Sequence, residues 1–144
     1  MTVVYLIRHA EALSREEWSE QDKDRPLTER GRKQARNIAA DLKKSGVSSL
    51  RTSPARRCHE TVAPLAEALG LKLVVDKGLF EGGGPIELPR DGGIHALCSH
   101  GDRIPETLDA FGVAWDKCKK GSVWKLEIDP NGKVTKSQYL PPSD

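Results

Sequence analysis

Histidine and arginine side chains occur together at three places along the chain. Arg8 and His9 are adjacent near the start, Arg56 and Arg57 follow a Ser-Pro pair, and His100 lies in a Ser-His-Gly triplet. An arginine guanidinium is a rigid fork of donors that matches phosphate oxygens, and a neutral imidazole can attack phosphorus and carry the phosphoryl group covalently. Nearby arginines would hold such an imidazole neutral by charge repulsion. These residue types therefore predict phosphoryl-transfer chemistry.

Each of these groups follows a stretch of the chain that is predicted to be a β-strand. Residues 2–7, 47–51 and 94–98 are short and rich in apolar and β-branched side chains, as buried strands are. In an open α/β sheet, ligands bind outside the carboxyl ends of parallel strands. If these strands are parallel, the polar groups that follow them meet along one rim of the sheet.

The remaining predicted elements alternate between helices and strands. Ser53 is expected to be the N-cap of a helix that starts at Pro54 and ends at Gly70. Ser53, Arg57 and Thr61 share one face of this helix, away from its apolar stripe, because they are four residues apart. The other predicted helices cover residues 29–44 and 104–111, and the other predicted strands cover residues 71–75, 122–129 and 133–140.

This order of elements predicts an α/β fold, a three-layer sandwich with a mostly parallel central sheet flanked by helices. The last two strands are expected to form a C-terminal β-hairpin, since typical turn residues, Pro130 to Gly132, lie between them. We expect residues 1–144 to form a single domain, because one domain takes roughly 150 residues. Residues 82–93 contain two glycine clusters and are predicted to have little regular structure.

Composition argues against several classes of protein. The chain has 23 basic and 21 acidic residues, a net charge of +2 that is too small for a strongly basic nucleic-acid-binding protein. The longest apolar run, Val3 to Ile7, is too short to cross a membrane, and no signal-peptide pattern opens the chain. Cys58, Cys98 and Cys118 fit neither a disulfide framework nor a zinc site. We therefore expect a cytoplasmic protein with reduced thiols that binds neither nucleic acid nor membrane.

Four segments resemble the motifs of the histidine phosphatase (phosphoglycerate mutase-like) superfamily. Residues 8–12 (RHAEA) resemble its RHG motif, and residues 25–35 (RPLTERGRKQA) resemble its RPLT-x-x-G-x-x-QA segment. Residues 53–61 (SPARRCHET) resemble its SP-x-x-R-x-x-x-T helix, and residues 99–101 (SHG) resemble its second-histidine motif. Each motif alone is weakly specific, but the four occur together in the family's order.

Two branches of the superfamily are similar to this chain. The short length and the RPLT segment resemble the SixA-like phosphohistidine phosphatases. The stretch from Arg56 to Ala66 also resembles the phosphatase domain fused to some MutT-type Nudix hydrolases. Inspection of the sequence does not separate these two branches.

The resemblance implies a role for each matching residue. His9 would be the catalytic nucleophile that becomes phosphohistidine. Arg8, Arg57 and His100 would hold the phosphoryl group, with His100 also counted as catalytic. Glu81 matches the position of the family's proton donor, and a carboxyl group beside a bound phosphate takes up a proton readily. The scheme needs no metal and no cofactor.

The implied function is a metal-independent phosphatase acting on phosphomonoesters or phosphoramidates, including phosphohistidine proteins. Two alternatives are a phosphatase for nucleotides or sugar phosphates and a domain that binds phosphate without turnover. A cysteine phosphatase built on Cys98 and Arg103 is a further hypothesis. It is disfavoured because four residues separate the pair, whereas that chemistry uses a Cys-x5-Arg loop. The expected partner is a phosphorylated small molecule or a phosphohistidine protein, and the sequence does not indicate an oligomeric state.

The sequence departs from the family pattern at two places. Ala10 replaces the glycine that usually follows the catalytic histidine. Residues 82–93 are too few for the helical substrate cover that family members usually carry, which predicts an open site and argues against a mutase. Asp22 to Asp24 is expected to be a solvated charged run, and Arg56 is expected to lie on the solvent face of its helix.

Overall fold

A computed structural model describes residues 1–143, which form six strands, three α-helices and two short 3₁₀ turns. Every predicted helix and strand is present, with boundaries shifted by at most two residues. The strands are β1 (Thr2–Arg8), β2 (Ser49–Thr52), β3 (Leu73–Val75), β4 (Ile94–Ser99), β5 (Val123–Ile128) and β6 (Val134–Leu140). The helices are α1 (Glu29–Leu42), α2 (Arg56–Leu69) and α3 (Arg103–Ala110), and the 3₁₀ turns cover Asp22–Asp24 and Lys77–Leu79.

The strands form one sheet in the order β3-β2-β4-β1-β5-β6. β4 pairs in parallel with both β1 and β2, and β2 pairs in parallel with β3. β5 runs antiparallel to β1, and β6 runs antiparallel to β5. The predicted mostly parallel sheet with a C-terminal hairpin is therefore confirmed. Because β1, β2 and β4 are parallel, the chain leaves all three at the same rim.

The central strand β1 is buried on both faces because helices cover the sheet from both sides. Tyr5 and Ile7 pack in a core with α1 and α2, while Val4 and Leu6 pack in a second core with α3. Successive side chains of a strand point to opposite faces, so one continuous apolar run serves both cores. The arrangement is the predicted three-layer sandwich.

Helix α2 begins later than the sequence predicts, and Ser53 is not its N-cap. Ala55 occupies the N-cap position with an extended backbone, and the helix starts at the next residue. The Ser53 N–H instead extends the sheet by donating to the Cys98 carbonyl at 3.0 Å, and its hydroxyl contacts the His100 ring. Pro54 therefore lies in the connection before the helix. The backbone N–H and the hydroxyl of Ser53 are thus occupied by the sheet and by His100, so Ser53 does not cap the helix as its sequence context predicts.

Residues 82–93 contain no helix or strand, as predicted. Ile86 and Leu88 of this segment are nevertheless buried in the core beneath α3. The segment thus closes one side of the sandwich instead of forming a helical cover. None of the helices within residues 1–143 is both long and apolar enough to cross a lipid bilayer.

Helix α1 packs its first turn directly against the chain that follows β1. The Glu11 carbonyl accepts the Thr28 N–H at 3.0 Å, and the Thr28 hydroxyl accepts the Gly31 N–H at 3.0 Å as the helix cap. A β-carbon on Gly31 would lie 1.9 Å from the Glu11 carbonyl oxygen. Only glycine permits this approach, which sets the position of the chain just after His9.

The close approach at Gly31 predicts a large cost for a single added methyl group. Gly31→Ala should lower the free energy of unfolding by about 3 kcal/mol through overpacking, although alanine is the better helix former. Urea denaturation measures the change. Lys33→Ala, on the exposed face of the same helix, is the control and should change stability by less than about 0.5 kcal/mol. Equal stability of the two variants would contradict the proposed constraint.

Candidate active site

A cleft of about 690 Å³ opens at the rim where β1 and β4 end. The five side chains proposed from the sequence all line it: Arg8, His9, Arg57, Glu81 and His100. The other lining residues are Ser14, Arg15, Glu16, Arg25, Gly101, Asp102 and Lys120. A second cavity of about 350 Å³, between β2 and the irregular segment, contains none of the five.

His9 directly follows β1 and is buried. Its Nδ1 lies 2.9 Å from the Ala10 carbonyl oxygen. Because a carbonyl can only accept, Nδ1 carries the proton and Nε2 keeps the lone pair of a nucleophile. Burial lowers the pKa of His9 from 6.5 to about 3; the bond to Ala10 opposes this, and the charge of Arg57 adds to it. The ring is neutral, as expected, but burial contributes more than arginine repulsion.

Two hydrogen bonds from helix α2 fix the backbone that carries the His9 ring. The Ala10 N–H donates to Thr61 Oγ1 at 2.9 Å, and the Thr61 hydroxyl donates to the Arg57 carbonyl at 2.7 Å. Ala10 is completely buried, so only a small side chain fits after His9. Helix α2 therefore anchors His9 as well as supplying Arg57.

The rings of His100 and His9 meet edge to face, with centroids 5.5 Å apart and an angle of 64° between their planes. His100 Nε2 is 2.8 Å from the Ser53 hydroxyl oxygen, which also accepts a backbone N–H at 3.3 Å. Arg57 Nη2 can only donate and lies 3.4 Å from Nδ1, so Nδ1 accepts from it when the ring proton on Nε2 is donated to the Ser53 oxygen. Glu81 Oε2 is 3.8 Å from Nδ1. Nδ1 is therefore the ring nitrogen on the side of Arg57 and Glu81, both of which line the cleft.

Arg57 is the most deeply buried cation that lines the cleft, with 1% of its surface exposed. Its Nη1 donates to the Asp22 carbonyl at 3.0 Å, and its Nη2 lies 3.4 Å from Glu81 Oε2. Its Nε has no hydrogen-bond acceptor within residues 1–143. A guanidinium buried this deeply is stabilised by negative charge beside it, so an anion in the cleft would stabilise Arg57 further.

Asp22 connects three arginines of the site, although the sequence predicts a solvated position. Its Oδ1 accepts from Arg15 Nε at 3.0 Å and from Arg25 Nε at 3.1 Å, and its Oδ2 lies 3.4 Å from Arg57 Nη1. Burial alone would raise the pKa of Asp22, but the hydrogen bond from Arg15 and the charges of Arg57 and Arg25 outweigh it and lower the pKa. Asp22 therefore stays ionised and joins its loop to the cleft. The expectation of a solvated run is wrong for Asp22 and holds for its exposed neighbours Lys23 and Asp24.

Arg8 ends β1 and lies against Gly101. Its Nη1 donates to the Cys118 carbonyl at 2.6 Å, and a β-carbon on Gly101 would lie 2.5 Å from Arg8 Cζ. The glycine after His100 therefore makes room for the guanidinium. Arg8 Nε also lacks an acceptor within the described part of the chain. Two guanidinium groups that line one cleft are what an anion-binding site requires.

Glu81 stands at the edge of the cleft among cations. Its Oε2 lies 3.4 Å from Arg57 Nη2, 3.8 Å from His100 Nδ1 and 4.0 Å from Arg15 Nη2. One third of its side chain is exposed. A carboxyl group in this position can meet both a bound phosphate and water, as a group that exchanges protons must.

Residues 4–88 match the sequence profile of the histidine phosphatase superfamily, branch 1, over more than half of the chain. The chain belongs to the histidine phosphatase superfamily. The matched region contains the first three motifs, including His9 and Arg57. The fourth motif, with His100, lies beyond the match and reaches the site because β4 is the parallel neighbour of β1.

Curated relatives of this superfamily member include proteins named as phosphatases and as probable phosphoglycerate mutases. An 8-oxo-(d)GTP phosphatase of Mycolicibacterium smegmatis is 28% identical, with the alignment covering 98% of this chain and 48% of that protein. A putative phosphoserine phosphatase of Hydrogenobacter thermophilus is 38% identical over 56% of this chain and 40% of that protein. The chain thus spans about half the length, or less, of these relatives.

Solved structures of similar fold include the protein histidine phosphatase SixA complexed with tungstate. Its TM-score is 0.79 at 21% identity, covering 96% of both chains. A putative phosphohistidine phosphatase SixA from Agrobacterium tumefaciens has a TM-score of 0.78 at 22% identity, covering 98% of both chains. These likenesses establish the fold.

The structure adds charged residues to this histidine phosphatase site that the sequence does not single out. Arg15 and Lys120 line the cleft, and Asp22 anchors the arginines around it. Their charges are visible in the sequence, but the contacts that involve them join distant positions; Asp22 and Arg57 are 35 residues apart. Arg56, by contrast, pairs with Glu60 on the exposed face of α2, as predicted.

The cysteine phosphatase hypothesis is wrong. Cys98 is fully buried in the core beneath α1 and α2 and does not line the cleft. Burial raises the pKa of its thiol well above the usual value, so the thiolate that such catalysis needs does not form. Within residues 1–143, no three His, Cys, Asp or Glu side chains converge in a way that could hold a metal ion.

The lowered pKa of His9 predicts a loss of stability in acid. The unfolded chain protonates His9 near pH 6.5, whereas the folded chain keeps it neutral down to about pH 3. The unfolded state therefore binds more protons between these values, and the free energy of unfolding falls as the pH falls through that window. From about pH 7 to about pH 5 the contribution of His9 is a loss of roughly 2 kcal/mol.

Urea unfolding of the wild type, His9→Gln and His59→Gln at both pH values measures this loss. On acidification from about pH 7 to about pH 5, the free energy of unfolding of His9→Gln should fall by roughly 2 kcal/mol less than that of the wild type. His59 lies on the exposed face of α2, so its variant should follow the wild type. The same pH dependence in the wild type and in His9→Gln would contradict the prediction.

Proposed function

We propose that this protein is a phosphatase that forms a phosphohistidine on His9 without a metal ion. The observation that carries the proposal is the bond from buried His9 to the Ala10 carbonyl, which leaves a neutral Nε2 for attack. Arg8 and Arg57 line the same cleft, and their guanidinium groups are suited to phosphate oxygens. Membership of the superfamily and the phosphatase names of the relatives support the same activity.

In the first step, His9 Nε2 attacks phosphorus, and the bond from phosphorus to the leaving oxygen or nitrogen breaks. Arg8, Arg57 and His100 bind the other phosphate oxygens and stabilise their charge in the transition state. Glu81 donates its proton to the leaving atom, which departs neutral. The step ends with phosphorylated His9 and an ionised Glu81.

In the second step, a water molecule attacks phosphorus, and the Glu81 carboxylate takes a proton from that water. The bond between phosphorus and His9 Nε2 breaks, which restores the neutral imidazole and releases inorganic phosphate. Glu81 is then protonated for the next cycle. One carboxyl group serves as acid and then as base, a use that its contacts with cleft cations and its partial exposure support.

Transient labelling tests the role of His9. A radiolabelled phosphate donor should leave an adduct on the protein that survives alkali and is lost in acid. His9→Ala should give no adduct and lose ~10³-fold or more in kcat/KM for p-nitrophenyl phosphate. His59→Ala, a histidine on the exposed face of α2, is the matched control and should retain both. An active His9→Ala would refute the proposal, and phosphate binding by the wild type without turnover would favour a purely binding domain.

We further propose phosphohistidine proteins as the substrate class. No Phe, Tyr, Trp or aliphatic side chain of the described residues lines the cleft. The lining includes five cationic and three acidic side chains. Charge therefore dominates recognition inside the cleft, which suits the phosphoryl group. A folded protein, which makes its other contacts outside the cleft, suits such a site, and the likeness to SixA supports it.

A nucleotide is the second candidate, because the M. smegmatis relative that aligns with 98% of this chain is an 8-oxo-(d)GTP phosphatase. Values of kcat/KM for a phosphohistidine protein, 8-oxo-GTP, phosphoserine and a sugar phosphate distinguish the two. We expect the phosphohistidine protein to exceed 8-oxo-GTP by roughly tenfold or more. A preference of similar size for 8-oxo-GTP would replace our assignment with the nucleotide one.

A further inference from the structure

Arg103 is a buried cation close to the site that the proposed mechanism does not use. It is the first residue of α3, three positions after His100, and only 5% of its surface is exposed. It forms no ion pair with any described residue. Its guanidinium donates instead to three backbone carbonyls of one loop: those of Phe80, Gly84 and Pro85. A charge is costly to bury without a carboxylate, so this arrangement needs an explanation.

The loop that Arg103 binds is the loop that carries Glu81. Arg103 Nη1 holds the Phe80 carbonyl on one side of Glu81. On the other side, Asp102 Oδ2 accepts the Gly82 N–H at 2.7 Å. The two residues that follow Gly101 therefore hold the backbone on both sides of the carboxylate.

Glu81 has little else to hold it in place. Its carboxylate makes ion-pair contacts of 3.4 Å and longer but accepts no hydrogen bond from residues 1–143. Its side chain is one-third exposed. The backbone must therefore set where the carboxyl group stands relative to the phosphate. A general acid loses efficiency steeply when its distance to the leaving atom changes.

We infer that Arg103 is a positioning residue that places Glu81 against the leaving group. The inference rests on the proposed function. The position of Arg103 also accounts for the glycine at position 83, because a β-carbon there would lie 2.7 Å from Arg103 Nη1. The helix that follows His100 thus fixes the acid to the same framework as the phosphate-binding ring.

A comparison of leaving groups separates positioning of the acid from a merely structural role. p-Nitrophenolate departs without a proton, whereas the more basic phenolate of phenyl phosphate depends on the acid. Arg103→Lys keeps the charge but loses the fork of donors. It should lower kcat/KM for phenyl phosphate by roughly 30-fold or more, and for p-nitrophenyl phosphate by less than about 3-fold. Inhibition by inorganic phosphate should stay unchanged, since the phosphate ligands are intact.

Companion variants complete the test. Glu81→Gln should show the same selective loss, and Arg103→Lys should add little to it in the double variant. Gly83→Ala displaces only the end of the Arg103 side chain, so it should give a milder selective loss even if substitutions at Arg103 impair folding. Arg90→Lys is the matched control, because Arg90 also donates to a backbone carbonyl, that of Asn131 at 3.2 Å in the hairpin turn.

Two results would overturn the inference. One is an equal loss with both substrates in Arg103→Lys or Gly83→Ala, which would indicate a structural role. The other is a double variant in which the losses multiply, which would show that Arg103 acts independently of Glu81. Labelling of His9 is measured in the same variants, so failure of this inference is distinguishable from failure of the proposed function.

Discussion

The hydrogen bond between His9 Nδ1 and the Ala10 carbonyl is the contact on which the site depends. It assigns the ring proton to one nitrogen, and burial keeps the other nitrogen unprotonated. The backbone at Ala10 is in turn held by Thr61, whose hydroxyl is bonded to the Arg57 carbonyl. One helix therefore orients His9, the proposed nucleophile, and supplies Arg57 beside it. A shift of α2 would disturb both at once, which ties the chemistry closely to the packing of the core.

Strand direction accounts for most of the site that the sequence predicts. Arg8 and Ser99 are paired neighbours at the ends of two parallel strands, so His9 and His100 must emerge side by side. That conclusion needs only the recognition of two short apolar runs and the rule for parallel sheets. Glu81 is different, because it lies in an irregular segment with no periodic pattern. Only the family resemblance singles it out, and its place among the cations became visible in the structure.

Asp22 and Ser53 show where local patterns fail. A short charged run normally faces solvent, and a serine before a proline normally caps a helix. At both positions a contact with a residue distant in sequence replaces the locally expected arrangement. Asp22 contacts Arg57, 35 residues away, and Ser53 contacts His100, 47 residues away. Composition and spacing do not predict such contacts, because the contacts form only when the folded chain brings these loops together at the rim of the sheet.

The loop that precedes β5, the antiparallel neighbour of β1, contributes to one side of the cleft. The parallel strands place their C-terminal ends at the rim of the cleft. Because β5 is antiparallel to β1, it places its N-terminal end there, so the loop that precedes β5 borders the cleft. There it carries Lys120 into the cleft, while the Cys118 carbonyl holds Arg8 and the Gly121 N–H donates to the His9 carbonyl at 3.0 Å. Both contacts use main-chain atoms, so the exposed side chains of Lys119 and Lys120 can be exchanged without losing them, whereas Cys118 is buried and Gly121 has a φ of 80°. Substitution of the two lysines therefore changes the charge beside the cleft and leaves the main-chain contacts to Arg8 and His9 intact.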